Sequence, residues 1–124
     1  MSKQNIQIAM GSLAYAIAKV DGEIQIEEKQ VLKSLAQKEF ELDDSDMGWI
    51  DKVFLNHEKE NIRLEDAYKY ALDVLEANRY EFDFDAKMKN KCIQFMEKVA
   101  ESFRSSSAAE QILIERFKKD TVSF

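Results

Sequence analysis

Residues 14–28 read Ala14-Tyr-Ala-Ile-Ala-Lys-Val-Asp21-Gly22-Glu-Ile24-Gln-Ile26-Glu-Glu28. Its first half closes a longer pattern. Ile6, Ala9, Met10, Leu13, Ala14, Ile17 and Ala18 recur at three- and four-residue intervals, the spacing of a buried helical face. The spacing predicts a helix over 4–20, and its alanines would let neighbouring helices approach closely. Asp21-Gly22 ends it, because glycine readily takes the left-handed conformation found just past a helix C-terminus. A second helix is expected over 26–39, with Val31, Leu32, Leu35 and Ala36 on its inner face. Glu27 and Glu28 stand at its start, where the helix dipole favours negative charge. The stretch therefore reads as helix, tight turn, helix.

Working outward, the same periodicity continues. Asp43-Asp44-Ser45 supplies capping residues for a third helix carrying Met47, Ile50, Val53 and Phe54 inward, with Trp49 at the flank. A fourth is expected over 64–78, through Leu64, Ala67, Tyr68, Ala71, Leu72 and Leu75. A fifth is expected over 83–103, with Met88, Cys92, Phe95, Met96, Val99 and Phe103. Ser105 to Ser107 break the pattern. A sixth helix turns Ile112, Leu113 and Phe117 inward and frays after Asp120. The linkers are short, so residues 1–124 read as one domain.

Composition agrees. Proline is absent and glycine occurs three times, whereas sheet proteins need many turns built from both. The single cysteine, Cys92, permits no internal disulfide, which fits a reducing compartment. The first residues lack the basic segment and apolar core of a signal peptide. No apolar run reaches the roughly 18 residues of a membrane span. The expected location is the cytoplasm. Net charge is −6, split into −9 over residues 1–86 and +3 over residues 87–124. An acidic chain repels a phosphate backbone, which argues against nucleic-acid binding. The basic last third reads as a solvated face.

The stretch from Ala14 to Glu28 resembles the signature of the TerB-like family (tellurite-resistance TerB and DjlA N-terminal-like domains). There a helix rich in small residues ends at Asp-Gly, and a glutamate opens the next helix. Asp21, Gly22, Ile24 and Glu28 occupy those places. The acidic turn Leu42-Asp43-Asp44-Ser45-Asp46 is similar to the family's entry into its third helix. The resemblance covers residues 4–119 and implies an all-α compact bundle of about six helices built on two pseudo-repeated helical hairpins. Setting Glu110 against Glu28 places Ala100 opposite Ala18, but Phe103 opposite Asp21 and Arg104 opposite Gly22. The second copy has thus lost the Asp-Gly chemistry.

Three features bear on function. Asp21 and Glu28, assisted by Glu23 or Glu27, would offer carboxylates to a divalent cation. Capping of the turn and helix start explains them without further ligands and is the favoured reading. Neighbouring Glu27 and Glu28 diverge by about 100° on a helix, and a tight hard-cation site wants about six oxygens. Calcium or magnesium is therefore expected to bind weakly or not at all, and no other cofactor is expected. An EF-hand is excluded, since Ile26 and Leu32 stand where its glycine and final acid belong. The second feature is the acidic surface Glu39, Glu41, Asp43, Asp44, Asp46 and Asp51, which has no basic residue within it. It reads first as a solvated helix start and otherwise as a field that gathers cations or a basic partner. The third is Tyr80-Glu-Phe-Asp-Phe-Asp85, where Phe82 and Phe84 read as a hydrophobic staple rather than an exposed patch.

Catalysis finds little support. His57, the only histidine, lies in the polar run Asn56-His-Glu-Lys-Glu-Asn61 and reads as a helix-end residue. Cys92 falls on an apolar stripe and reads as inert core. No nucleophile elbow, phosphate loop or zinc spacing occurs. The expected function is a non-enzymatic module. The resemblance implies a bacterial stress response, including tellurite resistance, exercised through protein partners. The alternatives are a carboxylate-based divalent-cation-binding protein and a small enzyme whose residues converge only in space.

Overall fold

Helix α1 (Ser2–Val20) is the axis of the molecule. Between Ile6 and Ala18 only Ile8 escapes full burial. A helix buried on every side must be surrounded, and among the described residues α1 packs against four further helices with complete bounds: α2 (Gly48–Lys59), α3 (Leu64–Ala77), α4 (Ala86–Ser102) and α5 (Ala108–Asp120). The computed structural model describes residues 2–20, 30–31, 34–35, 38, 48–77, 86–102 and 108–122, and among them there is no strand. Gln30, Val31, Ser34, Leu35 and Lys38 are helical, and Leu35 packs on the core. The rest of the expected helix over 26–39, the Asp-Gly turn, Phe103 and Tyr80 to Asp85 lie outside the described residues.

Small residues set how closely the helices meet. A methyl group built on Gly11 would stand 2.8 Å from the backbone oxygen of Ile50 and 3.2 Å from Val53 Cβ. That gap lets α2 lie almost backbone to backbone on α1. Around this contact Ile50 and Phe54 of α2, Ala67, Tyr68, Ala71 and Leu75 of α3, and Cys92, Phe95, Met96 and Val99 of α4 fill the core. Each large apolar side chain buried there contributes about 1.5–3 kcal/mol. These are the inward faces that the sequence periodicity predicts.

Helix α2 ends in a Schellman motif. Asn61 N–H donates to Glu58 O at 3.1 Å, Ile62 N–H donates to His57 O at 3.0 Å, and Asn61 has φ of 51°. Asparagine tolerates this left-handed conformation better than most residues. Ile62, next in the chain, packs its side chain on the core, which fixes the direction in which α3 departs.

Two expectations need correction. Ile112 does not face inward: it is 68 % exposed, and Glu110, Leu113, Ile114, Phe117 and Thr121 are buried instead. Those five positions follow the three- and four-residue spacing of one helical face, and Ile112 lies off it. The chain does not fray directly after Asp120. Thr121 is buried, with its Oγ1 donating to Phe117 O at 2.8 Å. His57 stands in the last turn of α2, as expected of a helix-end residue, and is also buried, because Ile50, Phe54 and His57 share a face at i, i+4, i+7.

Candidate functional site

Three helices converge on His57. From α1, Ser12 Oγ lies 2.9 Å from His57 Nε2 and donates to Ala67 O of α3 at 2.7 Å. A hydroxyl has one proton. At 2.7 Å that proton belongs to the Ala67 carbonyl, because two bare oxygens at this distance would repel. Ser12 must then accept from His57, which assigns the imidazole as the Nε2–H tautomer. Nδ1 is left as a bare acceptor, buried and without a partner among the described residues.

Aromatic rings enclose the imidazole. Tyr15 meets it edge-on at 5.4 Å between centroids and Tyr70 does so at 5.7 Å. Tyr15 also packs edge-on against Phe54 at 5.9 Å, and its hydroxyl donates to Ile62 O at 2.8 Å. Burial lowers the His57 pKa from its usual value, so the ring is held neutral, and burial raises that of Tyr15. Ser12 is fully buried and its proton is committed to a carbonyl. The pair ties α1 to α2 and α3 and presents no nucleophile to solvent. One wall of this cluster opens on a groove of about 500 Å³, lined by Trp49, Lys52, Val53, Asn56, His57 and Tyr70.

A second polar cluster joins α3 to α5. Tyr68 OH donates to Asp120 Oδ2 at 2.7 Å, and the Arg116 guanidinium sits 4.3 Å from the centre of the Tyr68 ring. Arg116 also donates to Glu65 Oε1 at 2.7 Å, a hydrogen bond that lowers the Glu65 pKa. Burial is the main cause of a raised Tyr68 pKa, with the bond to Asp120 adding to it. Arg116, Glu65, Leu64, Lys19, Val20, Ile112 and Leu113 border a groove of about 320 Å³. Glu110, in the first turn of α5, is the one fully buried carboxylate among the described residues.

The family model described as tellurite resistance protein TerB matches residues 7–120. The chain belongs to the TerB family. The TerB match starts in α1, runs through the stretch from Ala14 to Glu28 and closes at the last residue of α5. No curated protein and no solved structure gives a significant match. Of the residues that sequence reasoning put forward for this TerB chain, Asp51 falls within α2. Asp21, Gly22, Glu28, Glu39, Glu41, Asp43, Asp44 and Asp46 lie outside the described residues. Among the described residues no group of three or more His, Cys, Asp or Glu side chains comes together, and no helix is long and apolar enough to cross a membrane.

Sequence reasoning missed the Ser12–His57–Ala67 link. A signal for half of it was present, since His57 continues the Ile50–Phe54 stripe. Ser12 carried no such signal, because its meaning depends on α3 arriving with the Ala67 carbonyl.

Proposed function

We propose that this TerB-family chain is a non-catalytic interaction module, serving a stress response linked to tellurite resistance by joining protein complexes in the cytoplasm. The finer architecture belongs to the same reading: six helices, with residues 86–119 repeating the hairpin of residues 4–39. The observation that carries it is the family match over residues 7–120. It is supported by the way Ser12 and His57 are spent on joining helices, and by Ile112, a large apolar side chain left exposed on α5.

The test is deletion of the gene in its host, followed by growth on tellurite. Sensitivity rescued by the wild-type chain is the expected result. Ile112→Asp, on an exposed position, should fold normally and fail to rescue. Growth of the deletion strain equal to wild type would overturn the stress reading. Full rescue by Ile112→Asp would remove α5 from the interaction surface. Calcium titrated in about 0.15 M salt, where bulk attraction is screened, should give no saturable shifts centred on Asp21 to Glu28. Saturable shifts lost in Asp21→Asn would favour the metal-binding alternative.

A further inference from the structure

We propose that the groove between α2 and α3 binds a small planar aromatic carboxylate that also carries a hydroxyl or N–H donor. This goes beyond the interaction role and involves none of the residues around Ile112. The groove exists because α2 and α3, joined by the turn at Asn61, each pack on α1 far more than on one another. Its volume of about 500 Å³ lies within the range of small-molecule sites.

The walls define the ligand. Trp49 and Tyr70 are 39 % and 45 % exposed, so both offer ring surface to an occupant. Lys52 supplies the only charge on the lining among the described residues, and its Nζ sits 5.0 Å from the centre of the Trp49 ring. A planar ring stacked on Trp49 would bring an attached carboxylate to that ammonium. The floor adds a third requirement. His57 is 8 % exposed, and its Nδ1 lone pair is buried without a donor among the described residues. Such an orphaned acceptor calls for explanation. Tyr70, which packs edge-on against the imidazole, is itself half exposed and borders the groove. A ligand that displaces it gains the Nδ1 acceptor for its own hydroxyl or N–H. Ring, carboxylate and donor are thus read by Trp49 with Tyr70, by Lys52 and by His57.

The chain has one tryptophan and one histidine, so a ¹⁵N spectrum of the full chain holds one indole signal and one pair of imidazole signals, Nδ1 and Nε2. The probes are 4-hydroxybenzoate, benzoate and 4-hydroxybenzyl alcohol. A ligand of about ten heavy atoms should bind with Kd of about 1 mM. 4-Hydroxybenzoate is expected to shift the Trp49 indole and the His57 imidazole together and saturably. Benzoate should bind more weakly and leave Nδ1 unmoved, and the alcohol should bind more weakly for want of its charge. Lys52→Gln, at an exposed position, should weaken 4-hydroxybenzoate by about threefold to fivefold, as expected for one solvent-exposed ion pair, and Lys52→Arg should restore it. Circular dichroism checks that each variant is folded. Absence of saturation by about 10 mM, equal binding of all three probes, or Lys52→Gln binding like wild type would overturn the proposal.

Discussion

Ser12 Oγ and His57 Nε2 lie 2.9 Å apart, although 45 positions separate them in the chain. Ser12→Ala would strand the His57 N–H in the interior, while the Ala67 carbonyl, which lies inside α3, would lose only its second donor and keep its helical one. A buried polar group without a partner costs about 1–3 kcal/mol. Urea denaturation should show a loss of that size, and a loss below about 0.5 kcal/mol would mean that the link is not made in solution.

The neutral state of His57 makes stability depend on pH. Its folded pKa is lowered by burial, whereas the unfolded chain titrates near about 6.5. Among the described residues the groups in contact with the ring are Ser12, Tyr15 and Tyr70, none of which carries a charge near neutral pH. Below the unfolded pKa the unfolded chain binds a proton that the folded one refuses, so stability falls as pH drops from about 6.5 towards the folded pKa. Urea midpoints measured through this window should decline for the wild type. His57→Phe should flatten that part of the profile, and an unchanged slope would show that the ring charges freely in the fold.

Gly11→Ala sets two effects against each other. Alanine favours a helix interior by about 1 kcal/mol. The added methyl, however, meets the Ile50 backbone oxygen at 2.8 Å, and backbone cannot swing aside as a flexible side chain can. Overpacking of this kind costs about 1–3 kcal/mol, so the net change should be destabilising. A raised thermal midpoint would show that α2 can back away from α1 without loss.

Cys92 should react slowly with thiol reagents in the native state. It is fully buried, and burial raises its pKa, which leaves little thiolate to attack. Labelling should accelerate in urea in step with unfolding. Rapid labelling of the native protein would contradict the packing of α4.

Much of the core was legible because helical spacing is a local property. Ile17, Phe54, Leu75 and Met96 each follow from neighbours three or four positions away. Ile112 and Leu113 show the limit. They are adjacent and both apolar, so periodicity over one short helix cannot decide which of them faces inward. The structure decides it through Ile114, Phe117 and Thr121, which continue the face of Leu113. Groups satisfied by distant parts of the chain were less legible still. Neither the His57 cluster nor the Tyr68–Asp120 bond has a sequence spacing that announces it, because each joins helices through side chains more than 40 positions apart.

The central place of α1 has a consequence for biosynthesis. Of the described helices α1 is translated first, and the four described helices that cover it follow it in the sequence, the last ending at Asp120. At the usual 5–20 residues per second, the ribosome needs roughly 5–20 s to deliver them. Until they arrive, a helix that is buried almost all round in the finished fold lacks part of its native cover and exposes apolar side chains to whatever hydrophobic surface it meets. The nascent chain should therefore depend on chaperone shielding early in synthesis, and truncation before α5 should yield aggregates rather than a smaller soluble bundle.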